Sequence, residues 1–339
     1  MTTAQPLVSI GMPVYNGERY LRQVLDNLLG QDYQELELII SDNASTDATQ
    51  QICMEYQERD GRIRYSRNAT NIGIDGNFNR VFELASGEYF MWAAADDLRE
   101  PCFVSKLTAS LEADPGAVLA FGAFDTIDED GVTVRTFKEN WSDIFSRTRF
   151  WQYAYMVWLD PDKSMKAQHI HGLIRTEALR DTGGLFSASK DGSQSPLLSL
   201  FRLPFRQGGR GAMLPTEGIG EDHHTLLRLL TRGRFVIVEG VLFHFRIYRP
   251  KTGGALPLLT NIVRRLIGSS PEHRGNLWLL LVRNHLHYHY MRHIILHEAL
   301  MSLPERVTLC ILAAVAEVWT PFFALSGTAF RQLRNRRAP

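Results

Sequence analysis

The chain has 339 residues, of which 45% are hydrophobic and 22% charged, a composition typical of a globular protein with a large core. Its three cysteines are far apart and lack metal-ligand spacing, which argues against a disulfide framework or a zinc knuckle and favours a reducing, cytosolic compartment. Net charge is zero, and the N-terminal residues have no basic segment followed by an apolar one, so no signal peptide is expected.

The first predicted element is the strand "LVSIGMPVY". Asn16 can cap a helix after it, because apolar residues then recur at helical spacing up to Gly30: Leu21, Val24, Leu25, Leu28 and Leu29. Three further units of strand and helix follow, with the strands "ELELIISDN", "RIRYSRN" and "EYFMWAAA", and "AVLAFGAFDTI" is a fifth strand. Repeated units of this length predict an α/β fold with a Rossmann-like, mostly parallel sheet and helices on both faces.

The middle of the chain is less regular. Residues 187–213 are rich in Gly, Ser and Arg and are typical of a loop or lid. "EDHHTLLRLLTRG" predicts a helix, and "RFVIVEGVLFHFRIY" predicts the last strand or strand pair. We place a domain boundary near Pro250, which gives a domain of residues 1–250 and a helical, basic region of residues 251–339.

The C-terminal region has properties of a membrane-associated segment. From His244 onward there are 13 lysines and arginines against 4 acidic residues, which favours an anionic partner. Residues 307–330 are long and apolar enough to span a bilayer, but Glu317 and Pro321 lie at their middle. An in-plane or re-entrant helix is therefore favoured over a span, with a soluble packing helix as the alternative.

The sequence has three acidic clusters: "SDNASTD" follows the second predicted strand, "ADD" follows the fourth, and "GEDHH" stands ahead of a later helix. Ligands of open parallel sheets bind at the carboxyl ends of the strands. Carboxylates at one edge repel each other unless a cation lies between them, and such oxygen ligands suit Mg²⁺ or Mn²⁺. The alternative for Asp96 and Asp97 is that they cap the following helix.

Five motifs in this order resemble the family-2 glycosyltransferases, which have the GT-A fold: "VSIGMPVYNGERYLRQVLDNLLGQ", "ELIISDNASTDAT", "RNATNIG", "ASGEYFMWAAADDLREP" and "GEDHHTLLRL". The resemblance covers about residues 7–250. It implies an inverting enzyme that transfers a sugar from a nucleotide diphosphate donor. The processive members carry a Q-x-x-R-W motif, which this sequence lacks, so transfer of a single sugar is expected.

The resemblance also implies site residues. Those matching the nucleotide site are Pro13, Tyr15, Asn16, Glu18, Asp42, Asn43, Ser45, Asn71, Gly73 and Asp96. An acceptor-only carboxylate at Asp42 would suit the N3–H of uracil or thymine, hence a UDP or dTDP sugar; the alternative is a turn residue.

For the metal, Mn²⁺ or Mg²⁺, the matches are Asp96 and its neighbour Asp97, with His244 as a further ligand. This sequence differs from the family's D-x-D motif, because Ala94 stands in place of its first aspartate. A structural histidine is the alternative for His244.

Asp222 matches the catalytic base, with Glu221 as an orienting neighbour; the alternative is that both acids stabilise the start of a helix. Arg246, Arg249 and Lys251 form a candidate diphosphate-binding patch, with a solvated basic turn as the alternative. The spacing of His285, His289, His293 and His297 places them on one helical face, more typical of an interfacial surface than of a metal site.

The expected acceptor is a lipid-linked saccharide or a polysaccharide, extended at the cytoplasmic face of a bacterial cell membrane, with the C-terminal region on anionic lipid. A protein that binds nucleotide sugars without turnover is one alternative. A nicotinamide oxidoreductase is another, but the first strand is not followed by G-x-G-x-x-G. Nucleic-acid binding is not expected, because no basic helix or aromatic stacking motif is present.

Overall fold

The computed structural model describes residues 5–137, 148–157, 165–185, 221–248, 295 and 301–315. The strands are β1 (Val8–Val14), β2 (Leu36–Asp42), β3 (Ile63–Arg67), β4 (Tyr89–Trp92), β5 (Leu98–Arg99), β6 (Ala117–Ile127), β7 (Thr133–Phe137), β8 (Leu173–Arg175) and β9 (Arg234–Arg246). The helices are α1 (Glu18–Leu29), α2 (Thr49–Arg59), α3 (Ile74–Glu83), α4 (Phe103–Ala113), α5 (Arg149–Val157), α6 (Thr176–Asp181), α7 (Glu221–Arg232) and α8 (303–315), with a 3-10 helix at Met165–His171.

These strands form one mixed sheet in the order β3-β2-β1-β4-β8-β6-β9-β5, with β7 paired to β6. Strands β1 to β4 are parallel, and β6 and β9 run in the same direction because β8 is antiparallel to both β4 and β6. Only the short strands β5, β7 and β8 run in the opposite direction among the described residues. The prediction of a mostly parallel α/β sheet is confirmed, and the antiparallel direction of β5, β7 and β8 is what the sequence did not show.

Helices cover both faces of the first half of the sheet. The chain moves outward from β1 to β2 and β3 and then returns past β1 to β4. Crossovers between parallel strands are almost always right-handed, so α1 and α2 lie on one face and α3 on the other. The core between these layers is made of aliphatic and aromatic side chains that are fully buried, including Ile10, Leu25 and Phe90.

The C-terminal region is described only in part. Helix α8 buries Leu309 and Ala313. Within the residues that the structure describes, no helix combines the length and the apolarity needed to cross a membrane. The predicted boundary near Pro250 and the four C-terminal histidines lie outside the described residues.

Gly11 shows how tightly α3 packs on the sheet. A Cβ atom at Gly11 would lie 2.7 Å from Cζ of Phe90 and 2.8 Å from Cγ2 of Val81. We expect Gly11→Ala to lower the free energy of unfolding by about 1–3 kcal/mol, because these buried side chains must move. Chemical denaturation measures this, with Gly61→Ala as the control because no atom lies within 4 Å of its new Cβ. Equal denaturation midpoints for the two variants would contradict the prediction.

Candidate functional site

A cleft of about 610 Å³ opens at the carboxyl ends of β1 and β4. The sheet order reverses between these strands, and this switch point is where open α/β sheets bind ligands. The cleft is lined by Pro13, Val14, Tyr15, Asn16, Gly17, Arg19, Tyr20, Asn43, Ile74, Asn77, Phe78, Ala94, Ala95, Asp96 and Tyr248. Five of the residues predicted to bind nucleotide therefore line it: Pro13, Tyr15, Asn16, Asn43 and Asp96.

The loops after β1 and β2 hold each other through reciprocal hydrogen bonds. The backbone N–H of Asn16 donates to Oγ of Ser45 at 2.9 Å, and Oδ1 of Asn16 accepts the N–H of Thr46 at 2.8 Å. Oε2 of Glu18 accepts the N–H of Ala48 at 2.8 Å, at the start of α2. Glu18 and Ser45, both predicted to bind nucleotide, therefore fix the wall of the cleft without lining it.

Asn43 organises the segment between β3 and α3. Its amide nitrogen donates to Oδ1 of Asn71 at 2.9 Å and to the carbonyl of Gly73 at 3.1 Å. Its Oδ1 accepts the N–H of Ile72 at 2.9 Å. The left-handed backbone of Gly73, with φ of 81°, starts α3 beside the cleft. Asn71 and Gly73 are thus joined to the site through Asn43, and neither lines the cleft.

Asp42 is fully buried at the end of β2. Its Oδ1 accepts the N–H of Ser45 at 2.8 Å, while Oδ2 accepts the Tyr65 hydroxyl at 2.9 Å and Nη1 of Arg67 at 2.7 Å. Burial and the bond to Asp42 raise the pKa of Tyr65, so its hydroxyl stays a donor. Asp42 does not line the cleft, and in this arrangement it anchors β3 and the loop that presents Asn43.

The adjacent aspartates after β4 have different environments. Asp96 lines the cleft, and its Oδ2 accepts the hydroxyl of Tyr248 at 2.5 Å. Asp97 is 1% exposed, and its Oδ1 accepts the backbone N–H of Arg246 at 2.8 Å. Burial, with the nearby charge of Asp96, raises the pKa of Asp97 to about 7. The cleft thus receives one carboxylate of the pair, and the geometry argues against Asp97 as a metal ligand.

Arg246 is 3% exposed and connects three parts of the fold. Its Nε donates to the carbonyl of Asp96 at 2.7 Å, and Nη1 donates to the carbonyls of Asp128 and Glu129 at 2.9 and 3.1 Å. Its Nη2 donates to Oε1 of Gln23 at 3.1 Å. Arg246 therefore supports the cleft from behind without lining it, which favours a structural role over the predicted diphosphate-binding one. Arg249 and Lys251 lie outside the described residues.

Both ring nitrogens of His244 are engaged. Nδ1 lies 2.5 Å from Oδ1 of Asp125, and Nε2 lies 3.0 Å from Oε1 of Glu100. His244 does not line the cleft. Binding a metal would require it to give up one of these partners, so the arrangement favours the structural alternative.

Helix α7 begins at Glu221, and Asp222 is half-buried in its first turn. Neither residue is among those that line the cleft. The side chain of Glu221 lies outside the described part of the structure. The catalytic role expected of Asp222 and Glu221 stays a prediction.

Sequence reasoning missed several residues of the cleft, above all Arg19 and Tyr248. Arg19 is the one cation among the described lining residues, and its Nη1 lies 2.8 Å from Oε2 of Glu129. The ring of Tyr248 lies over Tyr20, with centroids 6.2 Å apart. The sequence could have indicated Arg19, because this residue lies in the first turn of the helix that follows the first predicted strand.

The residues present fit a divalent cation that is bound by one side chain of the protein together with the phosphate oxygens of a bound ligand. Among the described residues, no group of three or more His, Cys, Asp or Glu could hold a metal. Of the described residues that line the cleft, Asp96 alone has a carboxylate. Mg²⁺ and Mn²⁺ commonly bind through one or two carboxylates together with substrate phosphates and water, so Asp96 and a diphosphate form a sufficient set.

A mixed α/β sheet with a cleft at its switch point defines an open α/β protein whose ligand site is expected at that place. The chain belongs to glycosyl transferase family 2, whose model matches residues 9–181, slightly more than half of its length. This confirms the resemblance found in the sequence.

Curated relatives support the family. An uncharacterized glycosyltransferase of Rickettsia felis is 32% identical over 136 residues, covering 39% of this chain and 22% of the relative. One from Methanocaldococcus jannaschii is 31% identical over 136 residues, covering 40% of this chain and 47% of the relative. The chain therefore spans about a fifth to a half of the length of these relatives.

Solved structures support the fold. A crystal structure of S. aureus TarS residues 1–349 with UDP has a TM-score of 0.58 at 16% identity, over 91% of this chain and 70% of that one. The TarS structure with UDP-GlcNAc has a TM-score of 0.52 over 89% of this chain and 79% of that one. The fold is GT-A-like, as the sequence predicts.

Ala44 has a left-handed backbone, with φ of 62°, in the loop that presents Asn43. An L-residue with a Cβ is strained there by about 1–2 kcal/mol, which glycine avoids at some cost in entropy. We expect Ala44→Gly to raise the free energy of unfolding by about 0.5–1 kcal/mol, as measured by urea denaturation. Ala109→Gly, at an exposed position inside α4, is the control and should lower it by about 1 kcal/mol. A destabilised Ala44→Gly variant would contradict the assigned backbone conformation.

Proposed function

We propose that this protein transfers a single sugar from a nucleotide diphosphate sugar, of the UDP or dTDP type, to an acceptor hydroxyl with inversion. The observation that carries the proposal is the cleft at the switch point. Both Asp96, with its carboxylate, and Arg19, with its guanidinium, line this cleft. Family membership and the UDP in the TarS structure support it.

The cleft offers separate surfaces for the parts of such a donor. Tyr15 and Ile74 are 52% and 68% exposed and provide apolar area for a base and ribose beside Asn43. Asp96 would hold Mn²⁺ or Mg²⁺, which supplies charge neutralisation for the leaving diphosphate. Arg19 would donate to a phosphate oxygen, since a guanidinium fork matches phosphate geometry.

Asp222 is the proposed general base, with Glu221 as its neighbour. Inversion requires one carboxylate that accepts the proton of the attacking hydroxyl on the side opposite the leaving group. The support is the match of "GEDHH" to the family motif, together with the half-buried position of Asp222 at the start of α7.

We further propose that the acceptor is a lipid-linked saccharide or a polysaccharide, and that the enzyme acts at the cytoplasmic face of the cell membrane. Helix α8 supports this with an exposed aliphatic stripe at four-residue spacing: Leu303, Val307, Ile311 and Val315, which are 37% to 70% exposed. The basic residues that follow in sequence, 331–337, would favour anionic lipid. Residues 1–250 and 251–339 would then be the catalytic and membrane-associated parts.

The test is nucleotide release from a panel of UDP, dTDP and GDP sugars with Mn²⁺. Wild type should release nucleotide from one donor class, and Asp222→Asn should lower this rate by about 10²–10⁴-fold while nucleotide affinity is unchanged. Release by neither protein despite nucleotide binding would support the non-catalytic alternative and overturn the proposal.

Tyr248 should lower the affinity of the cleft for the divalent cation. Because its hydroxyl donates to Oδ2 of Asp96 at 2.5 Å, a metal must compete with this bond. We expect Tyr248→Phe to tighten Mn²⁺ binding in the presence of UDP by about tenfold, since a hydrogen bond to a charged group contributes ~1.5–3 kcal/mol. Electron paramagnetic resonance of free Mn²⁺ measures this. Tyr20→Phe is the matched control, because the Tyr20 hydroxyl donates to the carbonyl of Glu129. Equal Mn²⁺ affinities in both variants would exclude such competition.

A further inference from the structure

A second cavity, of about 440 Å³, lies at the opposite edge of the sheet from the cleft. It is found where β6 and β9 begin, between the end of α7 and the start of α5, and is lined by Asp114, Gly116, Thr148, Arg149, Arg232, Gly233 and Arg234. We call it the arginine cavity. Strand β9 has 13 residues and ends at Arg246, which contacts the backbone behind the cleft. At ~3.3 Å per residue the two sites are roughly 40 Å apart.

The arginine cavity carries an excess of positive charge. Three arginines line it against one carboxylate, that of Asp114. Asp114 is already paired with Arg234, with Oδ2 2.6 Å from Nε. This pairing holds the Arg234 side chain in place and leaves two guanidinium charges without a carboxylate in the cavity. Like charges brought together in this way repel unless an anion offsets them.

The other two arginines have free donors. Arg232 donates through Nη2 to the carbonyl of Asp181 at 3.1 Å, which leaves its remaining N–H groups open. Arg149 is half-buried, and in the described part of the chain it forms no hydrogen bond or ion pair. A half-buried guanidinium without a partner is costly, since the loss of hydration is not repaid. Because Arg149 lies in the wall of the cavity, its guanidinium is available to a ligand bound there.

Helix α5 adds a second source of positive potential. It has 9 residues and starts at Arg149, which lines the cavity, so the N-terminal end of the helix lies at the same place. The hydroxyl of Thr148, just before the helix, is a further donor lining the cavity. The N-terminus of a helix favours anions, and here it coincides with three guanidinium groups.

We propose that the arginine cavity binds a phosphate group, carried either by a soluble phosphorylated ligand or by the headgroup of an anionic lipid. Two uncompensated charges and several forked donors match a phosphate, which has more than one charge and three oxygens to accept hydrogen bonds. This site is separate from the proposed donor site in position and in residues, so it does not depend on the identity of the sugar donor.

The experiment uses the full chain without divalent cations and two probes. Isothermal titration with pyrophosphate tests the soluble source, and sedimentation with phosphatidylglycerol vesicles, against phosphatidylcholine vesicles, tests the lipid source. We expect Arg149→Ala to weaken binding of one probe about tenfold without changing thermal unfolding, because Arg149 forms no hydrogen bond or ion pair with the residues that the structure describes. Arg149→Lys, which keeps the charge but not the fork, should weaken it less.

Two controls locate the effect. Arg59→Ala removes an exposed arginine of α2 paired with Glu55, and it should leave binding of both probes unchanged. Arg19→Gln reports on pyrophosphate that enters the cleft. Dependence of pyrophosphate binding on Arg149 supports a soluble ligand, and dependence of vesicle binding on Arg149 supports a lipid headgroup. Binding of both probes that is unaffected by Arg149→Ala, or pyrophosphate binding that depends on Arg19 alone with no effect on vesicles, overturns the proposal.

Discussion

Asp96→Ala is expected to reduce kcat/KM for sugar transfer by about 10³-fold while the protein stays folded. Asp96 is the one carboxylate that the described residues supply to the cleft. A cation on a leaving diphosphate contributes several kcal/mol to the transition state, and each 1.36 kcal/mol is about tenfold in rate. The side chain has one hydrogen bond, from Tyr248, so the free energy of unfolding should change by less than ~1 kcal/mol. Transfer assays with saturating Mn²⁺ and thermal unfolding measure both effects.

Asp97→Ala is the matched control, since it removes the same group one residue away. Its carboxylate accepts the buried N–H of Arg246 and lies near the guanidinium of Arg99, which is 1% exposed. Losing it should lower the free energy of unfolding by about 2–4 kcal/mol. Mn²⁺ affinity should be retained at temperatures where the variant is folded. Stable Asp97→Ala protein without Mn²⁺ affinity would restore Asp97 as a ligand and contradict the structure.

This pair shows what a motif leaves undetermined. The sequence placed both carboxylates at the end of β4, and the site is there. Which of two neighbours faces the cleft depends on the backbone direction after the strand, and this is set by Arg246, about 150 residues later in the sequence. No local pattern records a contact at that separation.

The fold likewise has parts that local sequence patterns predict and parts that depend on contacts between distant segments. Strands β1 to β4 and their helices were predictable because apolar periodicity is a local property. The cap predicted at Asn16 is wrong: α1 has Gly17 at its N-cap without a side-chain cap, and Oδ1 of Asn16 accepts the N–H of Thr46 instead. Strand β5 has 2 residues and exists through its pairing with β9. Such short strands have no periodicity of their own. Only the assembled sheet defines them.

Asp42 illustrates a limit of a different kind. The carboxylate is where the family motif predicts, yet it accepts three hydrogen bonds within the chain. Its partners Tyr65 and Arg67 lie on β3, so recognising them requires the parallel register in which Asp42 pairs with Arg67. A motif therefore identified the region of the site more securely than the role of each side chain.

Arg246 gives the sharpest test of structural against binding roles. We expect Arg246→Met to lower the free energy of unfolding by about 3–5 kcal/mol, because it removes the donors to the carbonyls of Asp96, Asp128 and Glu129 from a buried position. Methionine has a similar length and is apolar, so the loss reports on the hydrogen bonds more than on volume. Arg246→Lys should recover part of the stability, since an ammonium can reach only some of these acceptors.

The measurement is urea denaturation of Arg246→Met, Arg246→Lys and the exposed control Arg59→Met, which should be within about 0.5 kcal/mol of wild type. A diphosphate-binding role, as the sequence predicted, would instead leave stability unchanged and raise KM for the donor. The two roles separate because the side chain is 3% exposed and its four hydrogen bonds lie within the chain. A ligand at this position would have to displace contacts that hold α1, the end of β4 and the turn before β7 together.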